Sequence, residues 1–231
     1  TYTADTIFDK YKISNDKISV IHESYPSVYD EILNLEKLNK IKKKYKLPDS
    51  YIFYPGNPWP HKNHYRLLEA LLILYEKENF NSSLVVSGVL ESNEDIFEKY
   101  LGKLNFPQER FINIGFINQR DMPSIYKLSE MLIYPSLFEG FGIPLLEAMK
   151  SDCPIVCSNL TSIPEVCREA AIYIDPNNVN SIANGIYSLT KDIKLKNKLI
   201  KLGREEVKRF EWENIIDDYT SLYKKLFELT R

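Results

Sequence analysis

The residues best suited to chemistry lie in the stretch PSLFEGFGIPLLEAM, residues 135–149, which follows a predicted strand and leads into an amphipathic helix. Two glycines separated by one residue let the backbone pass close to a ligand. Pro144 fits the first helical position, where its missing N–H costs nothing. The unpaired amides around Gly142, Ile143 and Leu145 would then face outward at the positive end of a helix. This arrangement predicts an anion site suited to a phosphate.

Two carboxylates flank this turn, Glu139 in the loop before it and Glu147 in the first helical turn after it. Because a phosphate repels a carboxylate, these side chains are expected to accept hydrogen bonds from hydroxyl groups instead. Sugar hydroxyls are the natural partners. The alternative is structural: Glu147 would complement the helix dipole and Glu139 would cap a loop.

The stretch resembles the donor-binding signature of the retaining GT-B glycosyltransferases of family 4, through EGFGIPLLEAM, the preceding YPS and the following strand and SIPEV. The resemblance covers essentially residues 51–231. It implies that Glu139 contacts hydroxyls of a donor sugar and that Glu147 holds the ribose of a nucleotide. It also implies that backbone amides line the sugar-diphosphate in a loop formed by Gly140, Phe141, Gly142, Ile143 and Pro144.

A second segment, PGNPWPHKNHYRLLEAL at 55–71, resembles the G-R-x-x-P-x-K segment of the same family. The resemblance implies that Gly56 allows close backbone approach and that Lys62 offsets charge on the departing nucleoside diphosphate. Asn57 stands where the family usually has arginine. The diphosphate is therefore expected to depend more on Lys62, and Lys62 and Glu139 are the predicted catalytic residues.

A third segment, GFINQRDMPSIYKLS at 115–129, resembles the family's loop and helix beside the nucleotide base. Phe116 and Ile117 are expected to flank the base, with core packing as the alternative. The family usually has glycine where this chain has Asp152.

No metal or other cofactor is expected, because His61 and His64 have no acidic or cysteine partner at ligand spacing and the family does not need a bound metal. The three cysteines are predicted to be buried as small hydrophobic residues in a reducing compartment. A dinucleotide-dependent dehydrogenase is disfavoured, since the first predicted strand is followed by GNPWPHKN and not by G-x-G-x-x-G.

Short apolar runs alternate with segments of helical period from residue 51 onward, which predicts an α/β fold with a Rossmann-like, doubly wound parallel sheet, the C-terminal half of a GT-B fold. The predicted strands are 51–55, 84–88, 111–115, 131–135, 154–158 and 171–175. The predicted helices between and after them are 62–79, 93–104, 121–129, 144–150 and 178–191, with a C-terminal crossing helix at 212–229. Ahead of the sheet the sequence predicts a helix at 4–11, a short strand at 17–21 and a lysine-rich helix at 33–45.

The composition of the chain limits the classes of partner that it can bind. The chain has 231 residues, of which 44% are hydrophobic, and a formal net charge of −2, so disorder and bulk electrostatic binding of nucleic acid are both disfavoured. No apolar stretch approaches the roughly 20 residues of a membrane span, and no signal-peptide pattern is present. The expected location is the cytoplasm. The run KIKKKYK is read as a solvated helix face, with association with the cytoplasmic face of the inner membrane as the alternative.

The sequence thus predicts two parts: residues 1–25 as the remnant of an acceptor-binding N-terminal domain, and residues 26–231 as a nucleotide-sugar donor domain. The predicted activity is retaining transfer of a sugar from GDP-mannose or a UDP-hexose to a glycan or lipid-linked acceptor in bacterial surface polysaccharide synthesis. The segment alone is expected to be inactive, because the acceptor site would lie in the missing domain. A GT-B epimerase or phosphorylase and a non-catalytic nucleotide-sugar-binding module are the alternatives.

Overall fold

Six parallel strands form one sheet in the computed structural model, which describes residues 2–76, 80–88 and 94–229. The strands are β1 (Tyr51–Pro55), β2 (Ser83–Ser87), β3 (Phe111–Asn113), β4 (Met131–Tyr134), β5 (Ile155–Ser158) and β6 (Ala171–Ile174). Their order across the sheet is β3-β2-β1-β4-β5-β6. The predicted Rossmann-like α/β fold is confirmed, and all six predicted strands are found within two residues of their expected ends.

The helices of the described residues are α1 (Tyr2–Tyr11), α2 (Leu35–Lys44), α3 (His64–Tyr75), α4 (Glu94–Leu104), α5 (Met122–Leu128), α6 (Ile143–Lys150), α7 (Ile163–Cys167), α8 (Val179–Lys191), α9 (Ile193–Glu206) and α10 (Trp212–Leu229). Residues 77–79 and 93, at the ends of two predicted helices, lie outside the described residues. None of these helices is long and apolar enough to cross a membrane.

The strands are apolar on both faces, as a parallel sheet covered by helices requires. Every residue of β2, β4 and β5 is buried. In the centre of the sheet Ile52 pairs with Leu84 on one side and Met131 on the other. Cys153, Cys157 and Cys167 are free and buried, which confirms their predicted packing as small hydrophobic residues.

The strand predicted at 17–21 is wrong. A 3-10 turn covers Asn15–Lys17, and the residues after it join none of the six strands. An apolar run becomes a strand only where a neighbouring strand can pair with it. Here Ile18 and Ile21 line a cavity instead.

The C-terminal helix has the predicted apolar stripe, but among its residues 212–228 only Ile215, near its start, is buried. Ile216, Tyr223 and Leu226 are each about half exposed or more, at 56%, 66% and 49%. The stripe therefore contributes little to the core of the described fold.

Candidate functional site

Strands β1 and β4 are neighbours at the point where the chain reverses direction across the sheet. In an open parallel sheet, ligands bind in the crevice that this reversal opens beyond the carboxyl ends of the strands. Lys62 ends a 3-10 turn (Pro60–Lys62) that follows β1, and Glu139 lies in the loop that follows β4. The fold thus brings the two predicted catalytic residues to one crevice.

The two side chains form an ion pair, with Lys62 Nζ 2.7 Å from Glu139 Oε1. They are 17% and 11% exposed, so water screens the pair only partly. Lys62 Nζ also lies 3.3 Å from the Tyr134 hydroxyl and over the Tyr134 ring. The crevice therefore holds the Lys62 cation in direct contact with the Glu139 carboxylate.

Asn63 holds the turn that carries Lys62. It adopts a left-handed conformation (φ 62°), and its buried amide donates to the carbonyls of Pro135 and Pro176 at 3.1 and 2.7 Å. The Tyr54 hydroxyl donates to the Lys62 carbonyl at 2.7 Å. Sequence reasoning missed Asn63; an asparagine just before a helix, a residue type that tolerates positive φ, was the available signal.

The loop that carries Glu139 is held from the segment after β5. The Glu139 amide donates to the Thr161 hydroxyl at 3.2 Å, and the Ser162 hydroxyl donates to the carbonyls of Glu139 and Phe141 at 3.1 and 3.2 Å. Ser162 opens the SIPEV segment, so that segment positions the loop. Its supporting role was not predicted.

Gly142 makes the turn into α6 with φ +107°, a conformation that L side chains rarely adopt. Helix α6 begins at Ile143, so Pro144 is its second residue and not its first as predicted. The Leu145 amide donates to the Gly142 carbonyl at 2.9 Å, which corrects its expected role as a free donor. The amides of Gly142 and Ile143 precede the first intrahelical bonds, so they remain suited to an anion.

Glu147 was expected in the first turn of the helix. It is the fifth residue of α6 and therefore lies just beyond that turn. Its Oε2 accepts a hydrogen bond from the Tyr126 hydroxyl at 2.8 Å. Burial raises the pKa of Glu147, while the hydrogen bond from Tyr126 and the nearby Tyr29 hydroxyl act in the opposite direction. The carboxylate is thus enclosed on the side of α5 and the N-terminal segment.

Two cavities open along this edge of the sheet, each of about 570 Å³. The first is lined by Lys62, Glu139 and the loop of Gly140, Phe141, Gly142, Ile143 and Pro144, and is closed on the other side by α1 and residues 18–23. The second is lined by Gly56, Ser87, Gly88 and the segment from Phe116 to Gln119. Asn57 and Glu147 line neither cavity.

Gly56 lies between the cavities. A Cβ at its position would touch the stem of Lys62 at 3.9 Å, and its φ is +146°. In the second cavity Phe116 is 85% exposed while Ile117 is 7% exposed. Phe116 therefore presents an open aromatic face, whereas Ile117 is also part of the core.

Two buried polar groups lie close to this turn. Asn57 Oδ1 and both ring nitrogens of His64 have no hydrogen-bond partner among the described residues. His64 is buried, stacked on Tyr54 and edge-on to Phe97, and burial lowers its pKa to about 3. His64 is the first residue of α3, and the first turn of this helix packs inward.

Asp152 takes the left-handed conformation (φ 56°) that glycine adopts without strain. Its carboxylate binds Arg204 through both oxygens, at 2.5 and 2.8 Å, and Lys127 at 2.7 Å. These hydrogen bonds, Arg204 first, lower the pKa of Asp152 to about 2. The side chain thus ties α5 to α9.

A Rossmann-like sheet with a cation and a glycine turn at its switch point is typical of proteins that bind nucleotides. The family model for glycosyl transferases group 1 matches residues 36–206, more than half of the chain. The protein therefore belongs to the glycosyl transferases group 1 family.

Curated relatives agree with this assignment, and solved structures share the fold. The chain is 33% identical over 188 residues to O-antigen chain mannosyltransferase B of Escherichia coli, covering 80% of this chain and 49% of that protein. It thus spans about half the length of this relative. Among structures, a glycosyltransferase from Rickettsia africae matches with a TM-score of 0.87 at 22% identity, over 98% of this chain and 62% of that one. HepE of Anabaena, solved in complex with UDP, matches with a TM-score of 0.79 at 16% identity, over 96% and 61%.

Proposed function

We propose that this chain is the donor-binding half of a retaining glycosyltransferase of family 4, with residues 1–25 belonging to the end of an acceptor-binding domain. The observation that carries the proposal is the Lys62–Glu139 pair at the switch point of the sheet, beside the glycine turn that opens α6. The pair places a cation for a diphosphate next to a carboxylate for sugar hydroxyls.

The donor is proposed to lie along the two cavities. Its diphosphate would meet Lys62 and the amides of Gly142 and Ile143, while the sugar hydroxyls meet Glu139. Its ribose would reach Glu147, and its base would lie in the second cavity against Phe116. Gly56, between the two cavities, would let the backbone approach the nucleotide closely.

In the transfer step the bond between the anomeric carbon and the diphosphate oxygen breaks, and the nucleoside diphosphate leaves with the electron pair. The oxygen of an acceptor hydroxyl bonds to the anomeric carbon, and the proton of that hydroxyl passes to the departing diphosphate. Negative charge then grows on the leaving oxygen, where Lys62 and the α6 amides stabilise it. In the resting structure Lys62 is bound to Glu139. A diphosphate that binds Lys62 would release Glu139 for the sugar. This proposal assigns charge compensation to Lys62 and the helix end and needs no metal ion.

The donor sugar is proposed to be mannose carried by GDP, or a hexose carried by UDP. The first is supported by the relationship to an O-antigen mannosyltransferase, and the second by a structural neighbour that binds UDP. The acceptor is proposed to be a glycan or lipid-linked glycan of a bacterial surface polysaccharide, bound at the cytoplasmic face of the membrane by the N-terminal domain.

Calorimetry of the 231-residue chain with GDP, UDP, GDP-mannose and UDP-glucose tests the proposal. A nucleoside diphosphate and its sugar conjugate should bind, and the matching nucleoside should bind much more weakly. A parallel transfer assay with the chain alone should show no appreciable turnover. Absence of nucleotide binding would refute the proposed donor site, and rapid turnover would refute the assignment to half of an enzyme.

A further inference from the structure

Glu147 is a partly buried carboxylate whose hydrogen-bond donor is a tyrosine, not a cation. Its Oε2 accepts from the Tyr126 hydroxyl at 2.8 Å, and none of the ion pairs of the described residues includes it. A buried carboxylate is costly unless hydrogen-bond donors compensate for lost water. The tyrosine hydroxyl therefore offsets part of the cost of burying this carboxylate and favours its charged form.

The Tyr126 ring cannot easily move. It is wholly buried on α5 and packs edge-on against Phe53 on β1, with ring centroids 5.0 Å apart. A donor fixed in this way sets the direction of the carboxylate it binds. Tyr126 consequently determines which way Glu147 points.

A second tyrosine hydroxyl lies close to the same carboxylate. Tyr29 is buried, its ring lies 6.2 Å from that of Tyr126, and the charge of Glu147 adds to burial in raising its pKa. Its hydroxyl has no partner within bonding distance among the described residues. A small movement of Glu147 would let its carboxylate accept a hydrogen bond from the Tyr29 hydroxyl.

Tyr29 comes from the segment that leads out of residues 1–25, and that segment is pinned to α6. Asp30 pairs with Lys150, the last residue of α6, at 2.7 Å, and Lys150 lies over the Tyr25 ring at 4.9 Å. Lys150 of α6 thus contacts residues on both sides of Tyr29 in the chain, which fixes Tyr29 relative to Glu147 on the same helix.

We infer that Tyr126 and Tyr29 are positioning residues that hold one edge of the Glu147 carboxylate so that its other edge can accept hydrogen bonds from the ribose hydroxyls of the donor. This inference rests on the proposed function, which places the ribose at Glu147. It adds two residues outside the EGFGIPLLEAM stretch, one of them from the segment before the sheet.

The inference predicts a pH dependence. The ionisable groups that face Glu147 are Tyr126 on α5, Tyr29 on the 3-10 turn Ser27–Asp30 and, through its charge, Tyr134 on β4. Removing the Tyr126 hydroxyl removes a group that lowers the pKa of Glu147, so that pKa rises further. The carboxylate then loses its charge at a higher pH, and ribose binding is lost with it.

Calorimetry of wild type and Tyr126→Phe with GDP and UDP at pH 6 and pH 8 tests this. The variant should bind the preferred diphosphate more weakly than wild type at pH 6, by up to about tenfold for each unit by which the pKa of Glu147 rises, and the deficit should be smaller at pH 8. The 2′,3′-dideoxy diphosphate, which lacks the ribose hydroxyls, should bind both proteins alike. Tyr51→Phe is the matched control. The Tyr51 hydroxyl is equally buried, but Tyr51 is the first residue of β1 and its hydroxyl donates to the Ile125 carbonyl at 2.6 Å, not to Glu147.

A loss in Tyr126→Phe that is the same at both pH values, or the same for the dideoxy ligand, would overturn the inference in favour of a purely structural role. If Tyr126→Phe does not fold, Tyr29→Phe decides, since it removes a hydroxyl with no bonded partner among the described residues. Relative to wild type it should bind the diphosphate more weakly at pH 6 than at pH 8, by less than about tenfold, and no change at either pH overturns its role. Failure of wild type to bind any nucleotide would instead refute the proposed function, and the inference would fall with it.

Discussion

Lys62 and Glu139 are 77 residues apart in the chain and 2.7 Å apart in space. Lys62 lies in the turn that follows β1 and Glu139 in the loop that follows β4, and their opposite charges neutralise each other. A donor must therefore exchange this pair for its own contacts, which makes the two residues separable by experiment.

Lys62→Ala should weaken binding of the nucleoside diphosphate about ten- to a hundredfold and leave binding of the nucleoside nearly unchanged. The reason is that a charge-assisted hydrogen bond contributes about 1.5–3 kcal/mol. Calorimetry with both ligands measures the difference. Equal losses for nucleoside and diphosphate would show that the substitution disturbs the β1–α3 turn instead.

Glu139→Gln should leave the free diphosphate bound as in wild type or somewhat more tightly, because it releases Lys62 from its carboxylate partner. The same variant should lose about 1–3 kcal/mol in affinity for the nucleotide-sugar, or the equivalent in transfer rate in a two-domain enzyme. Glu147→Gln should weaken both ligands alike. If Glu139→Gln impairs the diphosphate as strongly as Glu147→Gln does, the assignment of sugar and ribose is incorrect.

Gly142→Ala should destabilise the protein by about 1–3 kcal/mol and weaken diphosphate binding. Its φ is +107°, and an added Cβ would lie 2.8 Å from Leu145 Cδ1. Gly140→Ala is the control for stability, since a Cβ there meets nothing within 4 Å. Urea unfolding of both variants compares them, and equal stability would contradict the strain assigned to Gly142.

Asp152→Asn should lower the free energy of unfolding at pH 7 by about 1 kcal/mol, after allowance for partial exposure. The pKa of Asp152 is lowered to about 2 in the fold, against about 3.9 in an unfolded chain, so its stabilisation is present above pH 4 and lost as the pH falls towards 2. Urea unfolding at pH 7, 4 and 2.5 should show the two proteins converging. Asp49→Asn, which removes a fully exposed partner of Lys42, should change nothing measurable.

The sequence predicted what depends on local pattern. All six strands, the burial of the cysteines and the loop–helix signature around Gly142 follow from apolar runs, residue type and turn chemistry. The strand expected at 17–21 failed because pairing depends on a distant neighbour. The sequence did not predict the contact of Glu147 with Tyr126 or the bridge from Asp152 to Arg204 for the same reason, since the partners of both side chains lie on other helices.

The order of the strands has a consequence for folding kinetics. Lys62 belongs to the half of the sheet formed by β1, β2 and β3, and Glu139 to the half formed by β4, β5 and β6. Among the strands of the described residues, these halves are joined by the ladder between β1 and β4, where Ile52 and Phe53 pair with Met131 and Leu132. A ligand that spans the two residues has no site until that ladder has closed. It should therefore leave the early rate of folding unchanged and slow the separation of the halves, so that a bound donor acts as a kinetic clamp against unfolding.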